Sequence, residues 1–336
     1  MSQRPSIKDI ARIAGVSPST VSRALANSPR VSQATRERIQ SIARELDYTP
    51  SQAARSLVMG SSPIIGVISP TLSDPYIASV MKGLEEASHA AGYQRLVAST
   101  RGDAAREIEM VRMLVGHNVG GLIILSSRAN GEYHDLLGQI DIPIVFINSL
   151  HTGEQVYNVA TDNEYGGWLA ARHLLDQGHD RIAYLSGPER GRSQTARAAG
   201  YRRALEESGL PFEQRLLIPG DGSIRAGRKA LHWWLNQPQA QRPTAMFCYN
   251  DLSALGLLSE AYQQGVGVPD ALSVVGFDNV PVAEISIPPL TTVEQRTEEL
   301  GRLAVTSLLT ALANKPVTDI FLRGELIVRA SVKALQ

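Results

Sequence analysis

From residue 64 onward the chain alternates apolar runs of strand length with amphipathic helical segments, and this alternation constrains the fold more than any other feature. The runs at 64–68, 95–98, 121–125, 143–147, 182–185, 245–248 and 273–276 carry few polar residues, as strands buried on both faces do. Between them, 75–91, 105–115 and 194–208 repeat apolar residues at helical spacing, and Gly92 and Gly209 close two of these helices. Strands buried on both faces belong in a parallel sheet covered by helices on either side. The restart of the pattern at 182 predicts two such sheets, hence two lobes. Ligands of open α/β sheets sit beyond the carboxyl ends of the strands, here in the cleft between the lobes.

The first sixty residues do not follow this pattern. They hold nine Lys and Arg against four Asp and Glu, a net of +5, whereas the whole chain of 336 residues is neutral and the remainder therefore carries −5. A basic head on an acidic body points to an anionic partner for the head alone. A chain of this length exceeds one hydrophobic core, and 43% hydrophobic with 20% charged residues is an ordinary globular composition. No apolar stretch reaches the roughly 18–20 residues of a membrane span, and residues 1–10 lack the apolar core of a secretory signal, so a cytoplasmic location with no membrane partner is expected. The lone Cys248, inside the apolar run 245–248, excludes an intrachain disulfide and reads as a buried small residue.

Within the head, Ser6 with Asp9 reads as a helix cap, Gly15 as a helix stop, and Ser17-Pro18 as the opening of a second short helix; Ser32 caps a third. Two short helices across the turn Gly15-Val16-Ser17, backed by a third, form a helix-turn-helix. Arg23 falls opposite the stripe of Val21 and Leu25, where a guanidinium can donate to O6 and N7 of a guanine in the major groove. The hydroxyls of Ser6, Ser17, Thr20 and Ser22, with Thr35, Arg36 and Tyr48, can hold phosphates and fix register, or simply face water. Residues 51–58 can form one more helical segment, too short to be stable alone, and Gly60-Ser61-Ser62-Pro63 marks a boundary.

These residues resemble the lactose-repressor and galactose-repressor (LacI/GalR) family of bacterial transcription regulators from end to end. In the head the match lies in Ile7-Lys8-Asp9-Ile10-Ala11, Gly15-Val16-Ser17, Thr20-Val21-Ser22-Arg23, Glu45-Leu46-Asp47-Tyr48 and Ala54-Arg55-Ser56-Leu57; in the body it lies in Asp162-Asn163, Gly178-His179, Asn250-Asp251, Gly276-Phe277-Asp278-Asn279 and Pro289-Leu290-Thr291-Thr292-Val293. The resemblance implies a small all-α helix-turn-helix domain joined to an α/β, two-lobed, periplasmic-binding-protein-like effector domain. The implied division is 1–49 headpiece, 50–62 hinge helix and linker, and 63–336 effector and dimerisation domain. Its first lobe takes about 63–161 and 293–318, and its second about 162–292 and 319–333. It also implies a homodimer on palindromic double-stranded operator DNA, operator preference set at Pro18 and Ser19, and Leu57 inserted as a minor-groove wedge unless it packs on the partner hinge. Ala26 stands where the family usually has asparagine, which removes a phosphate contact.

For the cleft, Asp278 and Asn250 lie just past strands, where a carboxylate and an amide can bind ligand hydroxyls. The resemblance adds Arg197 as a holder of ligand hydroxyls or carboxylates. Asp74, Tyr76, Asn148, Asp162, Arg192 and Gln194 lie at strand ends and read equally as ligand contacts or as groups used for capping or lobe-lobe bonding. Gly222 replaces a stacking aromatic common in the family, which argues against a flat purine. The segment 222–229 lacks the lysine a phosphate loop requires directly after its second glycine, and no nucleophile, dinucleotide or metal motif appears. His173 and His179 read as capping or surface groups. The resulting expectation is a non-enzymatic, cofactor-free repressor of carbohydrate uptake or catabolism genes with a sugar-like effector. The alternatives are a purine- or nucleoside-responsive regulator and a sugar-binding transport receptor. The head argues against the latter, and the absence of an appended heptad helix after 326–329 argues for a dimer.

Overall fold

The computed structural model describes residues 5–25, 28, 30–48, 62–129, 133–189 and 191–335. The expected hinge, with Leu57 and Arg55, lies outside the described residues, as do Ala26 and Asn27.

Three helices form the head: α1 (Ile7–Ala14), α2 (Pro18–Leu25) and α3 (Gln33–Glu45). Ser6 and Asp9 build a capping box on α1, Gly15 ends it in the left-handed region at φ 67°, and Ser32 accepts from the Thr35 amide to start α3. Ile10, Ala14, Val21, Ala24, Ile39 and Ile42 meet in one small core, so each helix buries the stripe its periodicity predicts.

The body holds two parallel sheets, as predicted. In the first, β1 (Ile64–Ser69), β2 (Gln94–Ser99), β3 (Gly121–Leu125), β4 (Ile144–Ile147) and β5 (Val156–Thr161) alternate with α4 (Pro75–Ala90) and α5 (Ala104–Gly116). After α6 (Asn163–Asp176) comes the second sheet, made of β6 (Ile182–Leu185), β7 (Leu217–Ile218), β8 (Ala245–Cys248) and β9 (Ser273–Val275). Its helices are α7 (Arg192–Glu207), α8 (Ile224–Leu235) and α9 (Asp251–Gln263). The chain then crosses back through β10 (Thr292–Glu294), α10 (Thr297–Leu312), β11 (Ile320–Leu322) and β12 (Glu325–Ile327).

The returning segment departs from the expected division. Residues 320–322 pair in parallel with β5, at the edge of the first sheet in the order β11-β5-β4-β3-β1-β2, so they belong to the first lobe and not to a second-lobe segment 319–333. At the other crossing, β10 pairs antiparallel with β12, and the carbonyl of Val293 accepts from the Asp278 amide, tying residue 293 to the second lobe. A three-residue strand has too little periodicity to reveal which sheet it joins; only the distant pairing decides.

Each of three helix pairs crosses on a glycine from either side: Gly83 and Gly301, Gly167 and Gly200, Gly227 and Gly256. A β-carbon at Gly200 would stand 2.0 Å from the Glu164 carbonyl oxygen, so these helices touch backbone to backbone. Cys248 is buried, as expected. His179 is also buried, against the surface reading, with Nδ1 on the Thr244 hydroxyl and Nε2 on the Lys333 carbonyl, which anchors the chain end. No helix among the described residues is long and apolar enough to cross a membrane.

Candidate functional site

On the head, Val21 and Ala24 turn inward, and this sends Arg23 outward; its side chain is exposed and has no hydrogen bond or ion pair among the described residues. Pro18 and Ser19 stand exposed in the first turn of α2. Ser17 shares hydrogen bonds with Ser19 and Thr20 and accepts from the Thr20 amide, so its hydroxyl caps the helix as it faces outward. Ser6 is committed to Asp9, and the Thr35 hydroxyl to Ser32. Ser22 is half-buried in α2, and the Tyr48 ring packs on the small core. Arg36, expected to stay wet, instead donates to the carbonyls of Ser28 and Val31 and holds the loop before α3. The head thus offers a free guanidinium on an exposed short helix, flanked by hydroxyls.

The body's cleft is a cavity of about 150 Å³ between the carboxyl ends of the two sheets. Seven of the nine predicted residues line it: Asp74, Tyr76, Asn148, Arg192, Arg197, Asn250 and Asp278. Asp162 and Gln194 stand outside. The Asp162 carboxylate accepts from the Tyr165 amide and caps α6, while Gln194 accepts from the Gly187 amide and the Tyr184 hydroxyl.

A chain of polar contacts spans the lobes. Asn148 donates to the Tyr76 hydroxyl and to Gln295, and Gln295 donates to Asp278. Arg197, 3% exposed, has Nη2 3.7 Å from Asp278 Oδ1, donates to Asn163 and to the Tyr249 carbonyl, and lies 3.6 Å over the Phe277 ring. Burial pushes the Asp278 carboxyl well above the usual carboxylate range; the Arg197 guanidinium opposes this, and nearby Asp251 and Asp74 add to it. Asp278 also sits at φ 114°, a conformation costing about 1–3 kcal/mol outside glycine that a rigid surround must hold. Here the crossing strand β10 supplies that surround.

Asn250 caps α9 by accepting from the Ser253 amide, and its amide nitrogen has no hydrogen-bond partner among the described residues. The Asp74 side chain likewise accepts from the Tyr76 amide as the cap of α4. Sequence reasoning missed Tyr249, Gln295, Arg128, Ser193 and Asp221, all on the cleft wall. Tyr249 was within reach, one residue before Asn250 at the end of an apolar run. Gln295 was not, because it arrives through the crossover. The Tyr249 ring fills the space beside Gly222 and Gly187, where a β-carbon would come within 3.1 Å and 2.5 Å of it, so an aromatic face reaches the cleft although Gly222 brings none. Three acidic side chains (Asp74, Asp221, Asp278) and three guanidiniums (Arg128, Arg192, Arg197) line the wall, so acids and bases are equal in number.

A basic helix-turn-helix head on a two-lobed body with a polar interlobe cleft defines a ligand-binding DNA-binding protein. Residues 6–51 match the family of bacterial regulatory proteins, lacI family, and 171–332 match the periplasmic binding protein-like domain. The chain is 34% identical to the HTH-type transcriptional repressor PurR of Photobacterium profundum, with 98% of this chain and 99% of that protein aligned. It is 35% identical to the HTH-type transcriptional repressor CytR of Escherichia coli K12, over 98% and 96% respectively. Its fold is similar to the lac repressor dimer bound to operator and the anti-inducer ONPF, with TM-score 0.84, 28% identity, and 99% of this chain and 100% of that chain covered. The chain belongs to the lacI family: it is a DNA-binding transcriptional repressor and not an enzyme.

Proposed function

We propose that this repressor acts in the cytoplasm as a homodimer on a palindromic operator and answers to a neutral, hydroxylated effector, a sugar or sugar derivative, controlling carbohydrate uptake or catabolism genes. Residues 1–49 would read the operator, 50–62 would form the hinge, and the remainder would hold effector and partner subunit. The carrying observation is the balanced cleft wall around Asp278. A carboxylate beside a guanidinium, with the Asn250 amide free, pairs donors and acceptors of adjacent hydroxyls, whereas a phosphate would need a surplus of positive charge. Effector binding would alter lobe closure and so the spacing of the two hinges.

A second reading, a nucleoside effector, is favoured by the Tyr76 and Tyr249 rings on the wall and by the similarity to PurR and CytR. A nucleoside presents the same hydroxyl pair and adds a base to stack. Thermal unfolding against monosaccharides, sugar acids, sugar phosphates and nucleosides separates the readings. Stabilisation by a neutral sugar supports the first and by nucleosides alone the second, while a response confined to sugar phosphates overturns both.

A further inference from the structure

Glu107, on α5, is buried at 1% exposure and does not line the cleft, yet it holds residues that do. Its Oε1 accepts from the hydroxyls of Ser127 and Tyr133, and its Oε2 accepts from the backbone amide of Arg128 at 3.1 Å. No Lys, Arg or His pairs with it among the described residues. An acidic side chain buried without a cation is costly unless donors converge on it, and here all three come from the stretch that follows β3. Ser127 in turn accepts from the Ala129 amide, so the backbone is pinned on either side of Arg128. Arg128 lines the cleft, and its guanidinium reaches the other lobe: Nη1 stands 3.4 Å from the point a β-carbon on Gly191 would occupy. The Arg128 side chain has no hydrogen bond or ion pair among the described residues, so its reach depends on how its backbone is held. Arg192 makes a contact in the opposite direction, donating to the Leu150 carbonyl.

We infer that Glu107 is a positioning residue for lobe closure: by holding the Arg128 amide it keeps that guanidinium against the second lobe, although it does not itself reach the cleft. A contact made in one degree of closure and lost in another biases the balance between them. The consequence for DNA rests on the link between closure and operator binding proposed above, whereas the hold of Glu107 on Arg128 and of Arg128 on the second lobe does not.

Glu107→Gln is the matched probe. Its amide oxygen can keep the Ser127 and Tyr133 hydroxyls while its NH2 turns toward the Arg128 N–H, donor against donor, so that one bond is lost. Amide hydrogen exchange of the full-length protein should quicken in the second-lobe segment 187–195 in Glu107→Gln and to the same extent in Arg128→Ala. Titration of a duplex selected by the parent from a random pool should show operator affinity shifted in one direction by both, by about fivefold or more. In the double variant, Glu107→Gln should add nothing to Arg128→Ala. Arg128 is half-buried and its side chain unbonded, so Arg128→Ala keeps the fold and tests the crossing contact by itself. A purely local role for Glu107 predicts faster exchange at 121–129 alone. That result, an Arg128→Ala protein that exchanges like the parent, or additive effects in the double variant would overturn the inference. Faster exchange at 187–195 with unchanged operator affinity would uphold it and overturn the link between closure and DNA.

Discussion

Arg23 and Asp278 are opposite placements of an ionisable group: one guanidinium left free in water for a partner, one carboxyl group sealed beside Arg197. Arg23→Ala is expected to abolish preference among DNA sequences while keeping salt-dependent non-specific binding. Titrations of fluorescent duplexes at several salt concentrations check this, since base contacts discriminate by about 1–3 kcal/mol and phosphate contacts set the salt slope. Asp278→Ala should remove the response to effector without unfolding the protein, which a thermal melt beside the binding assay would establish. Burial pushes the neighbouring Asp251 up to about 7, opposed by the Thr292 hydroxyl and the Val280 amide that donate to it. Between about pH 4 and 7 the folded Asp251 therefore keeps a proton that the unfolded chain has released, so its contribution to stability falls as pH rises through that window. His151, pushed down to about 4 by burial, acts in the opposite sense. The difference between wild type and Asp251→Asn isolates the carboxyl: the variant should gain in relative melting temperature from pH 5 to 8, and a pH-independent difference would contradict the assignment.

At the level of elements, the amphipathic stripes of α1 to α3 and the apolar runs of β1, β3, β4, β6 and β8 were all readable, because their periodicity and their burial are the same fact. Local signals such as Ser6-Asp9, Gly15 and Gly92 placed helix ends to within a residue or two. What local pattern could not supply were the pairings made by residues far apart: β11 with β5, β10 with β12, and through β10 the arrival of Gln295 at Asp278. Nor did it show the glycine crossings, since a glycine inside a helix reads as a weakness until its neighbour is known. Gly200→Ala should cost about 1–3 kcal/mol by forcing α6 and α7 apart. Chemical denaturation measures this, and because Arg197 rides on α7 beside that crossing, effector affinity should fall with it.

Across the whole molecule, the head carries the free basic surface and the body a polar cleft, with Asn148, Gln295 and Asp278 linking the lobes above and below it. In the proposed mechanism one motion joins the two sites: a ligand gripping Asp278 and Arg197 alters closure, and closure alters how paired heads sit on DNA. The most direct measurement is selection of bound fragments from a random duplex pool by the full-length protein, followed by titration of the winning sequence with neutral sugars and nucleosides. The prediction is a two-fold symmetric motif whose occupancy shifts with one such compound in the parent but not in Asp278→Ala. Enrichment of no motif, or a shift that survives loss of the Asp278 carboxylate, would contradict it.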